Sequence, residues 1–198
     1  MKSRPTGGFP RAVNAKNKRR EKPGLCERGR HGRRLANASY RRGFVRAAYL
    51  AFGEIERLRR MMEIALASGG CVKVDVKAAD ENLHAALTGA SNRQTWENLA
   101  RLAEYVPRRP SPPPLVASTL LVPGYVDEDE VGVIASRLAA LNDDIPYSLL
   151  AFYPSHQMRD LPTTSRAHAE RCYRAARGAG LKRVRLANVH LLGPGDYA

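Results

Sequence analysis

The spacing of apolar positions divides the chain near residue 43. From Phe44 the pattern reads as helical: Ile55, Leu58, Met62 and Ala65 share one face, with Glu56, Arg57, Arg59 and Arg60 opposite. Gly53 can break this stretch in two, and Gly69-Gly70 ends it. A strand then opens at Cys71. Val72, Val74 and Val76 fall on one side of it, and Lys73, Asp75 and Lys77 on the other. Three charges on one face are costly if dry and unpaired, so that face looks into water, a cavity or a polar ligand. Asp80 caps a short helical turn carrying Glu81, Leu83, His84 and Leu87, which ends at Thr88-Gly89. Ser91 is expected to cap the next helix, residues 92–105, with Trp96, Leu99 and Ala103 inward.

The second half repeats the alternation. Residues 107–114, PRRPSPPP, read as a rigid, extended, exposed loop. Residues 115–122 are almost continuously apolar, as in a strand covered on both faces of a parallel sheet. Pro123-Gly124 stops it, and residues 127–130 place acidic groups at a helix start. That helix points Val131, Ile134, Ala135, Leu138 and Leu141 inward. A strand over 145–152 leads into a long loop, and Ser165 caps a helix with Ala169, Cys172, Tyr173 and Ala176 inward. Gly178 or Gly180 closes that helix before a last strand over 183–189. The predicted order is α-β-α-β-α-β-α-β, an α/β arrangement with right-handed parallel crossovers. Either part of a barrel or an open doubly wound sheet fits, and both bind ligands beyond the carboxyl ends of their strands. Asp75, Lys77, residues 122–124 and residues 152–153 converge on that rim.

Charge adds a boundary. Of the formal +14, residues 1–46 hold +13, from 15 Lys and Arg against Glu21 and Glu27. Residues 1–43 are poor in large apolar groups and broken by Pro and Gly, so they read as a basic, disordered segment preceding one α/β domain over 44–198. The start has no apolar core for secretion, and no run approaches the ~18 apolar residues of a membrane span. An organelle-import reading of the Arg-rich start is weakened by its Gly and Pro residues and the lack of an amphipathic pattern. The expected compartment is the cytoplasm. The KNKRREK run at 16–22 could touch phosphate backbones, but no aromatic residues interleave it, so nucleic acid is not the expected partner. Cys26, Cys71 and Cys172 are far apart and read as free thiols, and the five histidines make no metal-ligand spacing.

Asp75, Lys77, His84, Gly89, Ser91 and Asn92, in the run D-x-K…H…T-G-x-S-N, resemble a stretch of the radical S-adenosylmethionine (radical SAM) superfamily. They are most similar to its pyruvate formate-lyase activating enzyme branch. The resemblance resumes at 119–131 and 145–165 and covers residues 65–193. It implies part of a (β/α)6 barrel, truncated here, with S-adenosylmethionine across the strand ends and its amino and carboxylate groups on a [4Fe–4S] cluster. It further implies Asp75 and Lys77 at the methionine and ribose portions of that ligand, and Leu120 and Leu150 against the adenine. Tyr153 stands where the branch carries a His, and Ser118 where it carries an Arg. A phenol can stack or donate but does not titrate near neutrality.

The cluster implied by the resemblance needs C-x-x-x-C-x-x-C, because three thiolates leave the fourth iron for the nucleotide. No such spacing occurs, and no Gly-Gly-Glu-Pro-like strand end either. The expectation is a radical SAM-like chain without cluster ligands, truncated and inactive alone, whose relatives cleave S-adenosylmethionine to a 5′-deoxyadenosyl radical. A glycyl-radical protein is the partner the resemblance implies. The alternatives are a non-catalytic remnant that binds a partner and a basic-tail nucleic-acid binder.

Overall fold

Apolar strands separated by helical stretches can join one sheet only through crossovers, and the chain does so. The structure is a computed structural model that describes residues 55–194, 196 and 197, together with the backbone of 44–46. The strands are β1 (Phe44–Arg46), β2 (Cys71–Asp75), β3 (Leu115–Leu121), β4 (Tyr147–Ala151) and β5 (Val184–Ala187). They lie side by side in chain order, and every neighbouring pair is parallel. The helices are α1 (Ile55–Ser68), α2 (Glu81–Thr88), α3 (Arg93–Ala103), α4 (Glu128–Leu141) and α5 (Arg166–Gly178). Strands in sequential order, joined by right-handed crossovers, put their helices on one face and leave the other as the inside of a barrel. A doubly wound sheet would reverse its strand order midway, and this one does not. The sheet is an unclosed part of a barrel.

Burial follows this division. Val72, Val74, Leu115, Ala117, Leu121, Tyr147 and Leu149 sit in the core under the helices. From the helices come Leu58, Met62 and Ala65 of α1, Val131, Ile134, Ala135 and Leu138 of α4, and Ala169, Cys172 and Ala176 of α5, as their spacing predicts. Ile55, Leu141 and Tyr173, expected inward, lie at helix ends or edges and are exposed. Two buried polar chains tie strands together beneath the rim. The Tyr147 hydroxyl donates to Thr119 Oγ1 at 2.8 Å, and Thr119 donates to the Val76 carbonyl at 2.8 Å, linking β4, β3 and the end of β2. Thr164 Oγ1 donates to the Leu121 carbonyl and accepts from the Phe152 amide, each at 2.7 Å.

Several boundaries differ from the sequence reading. Phe44–Arg46 is a strand and not the start of a helix, since its pairing with Cys71, Val72 and Lys73 decides what three residues are too few to signal. α3 begins after Asn92, not Ser91. Ser91 accepts from the Arg93 amide and donates to Glu81, while the Asn92 amide is spent on the Ala78 and Ala79 carbonyls. The loop over 107–114 is neither fully extended nor fully exposed: Val106–Arg108 forms a 3-10 turn and Pro114 is buried. Arg109 folds back from it to donate to the Ala65, Leu66 and Gly70 carbonyls, closing the open end of α1. The last strand stops at Ala187, because Asn188 turns left-handed (φ 55°) into a 3-10 turn, Val189–Leu191. The basic segment over 1–43 lies outside the described residues.

Candidate functional site

Parallel register decides which side chains meet on the inner face. Asp75 pairs with Ser118, Ser118 with Ser148, and Ser148 with Arg185, giving one polar row across four strands. Two residues nearer the carboxyl ends, Leu120 pairs with Leu150 and Leu150 with Ala187, giving an apolar row above it. Leu120 and Leu150 are half-buried, as expected of a platform open on one side. The two expected adenine residues are therefore direct neighbours, and Asp75 lies on the same face.

Asp75 is the electrostatic centre. The Ser118 hydroxyl donates to its Oδ1, Lys77 Nζ approaches Oδ2 at 3.4 Å, and Lys73 Nζ lies 3.7 Å from Oδ1. Partial burial would raise its pKa, but the Ser118 bond and the ammoniums of Lys77 and Lys73 outweigh it and hold the carboxyl below its ordinary value. The group stays ionised at neutral pH and offers its remaining lone pairs to an ammonium or to hydroxyls. Ser118, read in the sequence only as a departure, is thus a direct partner of Asp75.

The loop after β2 is fastened from three sides. Glu130 Oε1 accepts from the Ala79 amide and, at 2.9 Å, from the Asp80 amide. Asn92 donates to the Ala78 and Ala79 carbonyls, and Asp80 caps α2 by accepting from the Leu83 amide at 2.7 Å. Gly89, at φ 76°, closes α2 in the left-handed conformation, which a side chain would oppose. His84 is buried rather than on a helix surface. Its Nδ1–H donates to the Ala90 carbonyl at 2.8 Å, so it braces the turn between α2 and α3. Half-buried Trp96 packs on the core, with the Arg137 guanidinium 5.1 Å from its ring centre. Tyr153, two residues past β4, is 62% exposed, and its hydroxyl makes no hydrogen bond among the described residues. His156 is exposed in the same loop.

On the helix-covered side, the ligating atoms of Glu128, His168 and Cys172 lie within 4.8 Å of one another. Both His168 nitrogens are spent: Nε2–H donates to the Val126 carbonyl at 2.9 Å, and Nδ1 accepts from the Tyr197 hydroxyl at 3.0 Å. Burial above all lowers the His168 pKa, although its bond to Val126 opposes this. Glu128 accepts from Arg171 Nε at 3.0 Å. The trio packs α5 on α4 and on the tail at Asp196 and Tyr197, with no lone pair of the histidine left for a metal.

Burial, aided by the Glu128 and Asp127 carboxylates, pushes the Cys172 thiol up to about 12 from an ordinary 9.0. The unfolded thiol therefore ionises first, the native state holds more protons between these values, and stability falls as pH rises through them. Urea unfolding is expected to show a loss of roughly 1 kcal/mol per pH unit above about pH 9 that Cys172→Ala removes. Equal slopes in the two proteins would contradict this. The buried Tyr147 phenol, raised mainly by desolvation, contributes to both at higher pH.

The inner-face rim at the carboxyl ends of a parallel, sequentially ordered sheet is where an α/β partial barrel places its ligand site, so this face is the candidate site. The comparisons place the chain further. It is 33% identical over 81 residues, 41% of its length, to a Methanocaldococcus jannaschii protein named as a glycyl-radical enzyme activating enzyme. It spans 30% of that relative's length. Its fold is similar to a domain of pyruvate-formate lyase-activating enzyme from Bacteroides vulgatus, with a TM-score of 0.58 at 21% identity, over 80% of this chain and 92% of that one. No family model matches the chain. Over part of its length the chain is thus related to the radical SAM proteins of the pyruvate formate-lyase activating enzyme type.

Proposed function

We propose that the inner face at the ends of β2, β3 and β4 binds S-adenosylmethionine, and that this chain is a radical SAM-like unit without cluster ligands among its described residues, inactive alone. The observation that carries the reading is the shared face of Asp75, Leu120 and Leu150, with an ionised carboxylate beside an apolar platform. Leu120 and Leu150 would take the adenine, Asp75 an ammonium or the ribose hydroxyls, and Lys77 a carboxylate once it swings from Asp75. Tyr153 would close over the platform from its exposed position. By the resemblance, an activating enzyme would hold a [4Fe–4S] cluster to supply the electron that cleaves this ligand, and its partner would be a glycyl-radical protein.

The described residues do not fit the cluster. Cys71 opens β2 at the end away from the rim, and Cys172 is buried beneath the opposite face, so the two thiols cannot share a cluster. Cys26 lies outside the described residues. Among those residues no helix is long and apolar enough to cross a membrane, and the cytoplasm remains the proposed compartment. A second reading, a non-catalytic half that pairs with another chain, is favoured by β1 and β5, which are each paired on one side only among the described residues.

Calorimetric titration with S-adenosylmethionine tests the binding half. Saturable binding is expected, weakened roughly tenfold or more in Asp75→Asn, which loses a charge-assisted contact. Absence of binding to about 1 mM would overturn it. Anaerobic reconstitution with iron, sulfide and a reductant tests the other half: no 5′-deoxyadenosine is expected, and its formation would sink the inactive reading.

A further inference from the structure

The polar row ends on β5 in a group that neither the resemblance nor the proposed nucleotide contacts use. Arg185 Nε–H donates to Ser148 Oγ at 2.8 Å, which fixes the guanidinium against the inner face. Its two terminal nitrogens have no hydrogen-bond or ion-pair partner among the described residues. Ser148 is 1% exposed and spends an oxygen lone pair on Arg185, which leaves its own hydroxyl proton to be donated. Together, the guanidinium nitrogens and the Ser148 hydroxyl proton offer donors from neighbouring positions on adjacent strands, the chemistry that recognises a carboxylate or phosphate. The surrounding charge agrees. On the described inner face, Lys73, Lys77 and Arg185 stand against the single carboxylate of Asp75, which both lysines already share. Asp75 stands three strands from Arg185 in the register, and its ion pairs are with Lys73 and Lys77.

We propose that Ser148 and Arg185 form an oxyanion-recognition site, taking a carboxylate or phosphate on a ligand that lies beside the Leu120–Leu150 platform. The proposal rests on the reading of this face as a ligand site and adds an anionic group at its β5 side, one register row deeper than the platform. The oxyanion read by Arg185 is thus separate from the S-adenosylmethionine carboxylate assigned to Lys77, and belongs to a second ligand group on the β5 side of the platform.

The test is a nuclear magnetic resonance titration of the full chain with inorganic phosphate and, separately, with succinate. The readouts are the Arg185 Nε–Hε signal and the amides of Ser148 and Arg185. A local readout is needed because the basic N-terminal residues attract any anion non-specifically. Saturable shifts with at least one anion are expected, and the anion that gives them identifies the class. Arg185→Gln should abolish them, Ser148→Ala should weaken binding several-fold, and Arg185→Lys should weaken it through loss of the fork. Silence with both anions, or unchanged shifts in Arg185→Gln, would overturn the proposal. A parallel titration with S-adenosylmethionine, read at the Leu120 and Leu150 methyls, separates the two readings. Silent methyls with an intact anion response would sink the nucleotide site alone, and the reverse would sink the oxyanion site alone.

Discussion

Tyr147→Ala is expected to lower unfolding stability by about 3–5 kcal/mol, the range for emptying an aromatic position in a packed core. Tyr147 has no exposed surface, and it is the largest side chain so enclosed among the described residues. It also starts the relay through Thr119 to the Val76 carbonyl, so its loss leaves Thr119, which holds the end of β2, without its donor. Tyr147→Phe separates the two effects. It keeps the packing and removes only the hydroxyl, at a cost of about 1 kcal/mol. Chemical denaturation of the three proteins measures both steps. A Tyr147→Ala loss no greater than that of Tyr147→Phe would contradict the placement of this ring at the centre of the core.

Glu130→Ala is expected to cost about 1.5–3 kcal/mol, because two backbone amides, one of them in a buried residue, lose a charged acceptor together. The effect reaches the site through the chain. The loop that Glu130 holds begins at Lys77, beside Asp75, and ends at the Asp80 cap of α2. Hydrogen exchange at the Ala79 and Asp80 amides should accelerate far more than exchange in β3 and β4, and S-adenosylmethionine affinity should fall with it. Glu130→Gln, which retains one accepting oxygen, should recover part of both. Uniform acceleration across the sheet would mean that Glu130 supports the fold at large and not this loop.

The sequence was most legible where one local pattern had one physical solution. Alternation in β2 put the valines under the helices and Lys73, Asp75 and Lys77 on the other face. Asp80 and Ser165 announced their helix starts, and the apolar run after Pro114 announced a strand, although Val116 and Leu120 on its inner face are only half-buried and not covered as expected. The resemblance assigns Asp75, Leu120 and Leu150 to different parts of one ligand, and the register puts the three on one face of the sheet. What stayed hidden depends on contacts between distant segments. Glu130 reads locally as a charge favoured by a helix start, yet its carboxylate is occupied by amides 50 and 51 positions earlier. Ser118, Ser148 and Arg185 are unremarkable until the parallel register aligns them with Asp75. β1 is too short to show a period, and only its partner strand defines it. Tyr153, placed by the resemblance at the site, is found two residues past β4, exposed and with no hydrogen-bond partner among the described residues.

The account depends most on the inner face being where S-adenosylmethionine binds. The most direct measurement is a methyl-resolved magnetic resonance titration with S-adenosylmethionine, following every leucine of the described residues at once. The prediction is that the Leu120 and Leu150 methyls shift together and saturate, that buried Leu115 and Leu149 on the opposite face do not, and that Asp75→Asn shifts the midpoint to higher ligand. Shifts absent from Leu120 and Leu150, or confined to leucines beneath the helices, would contradict it.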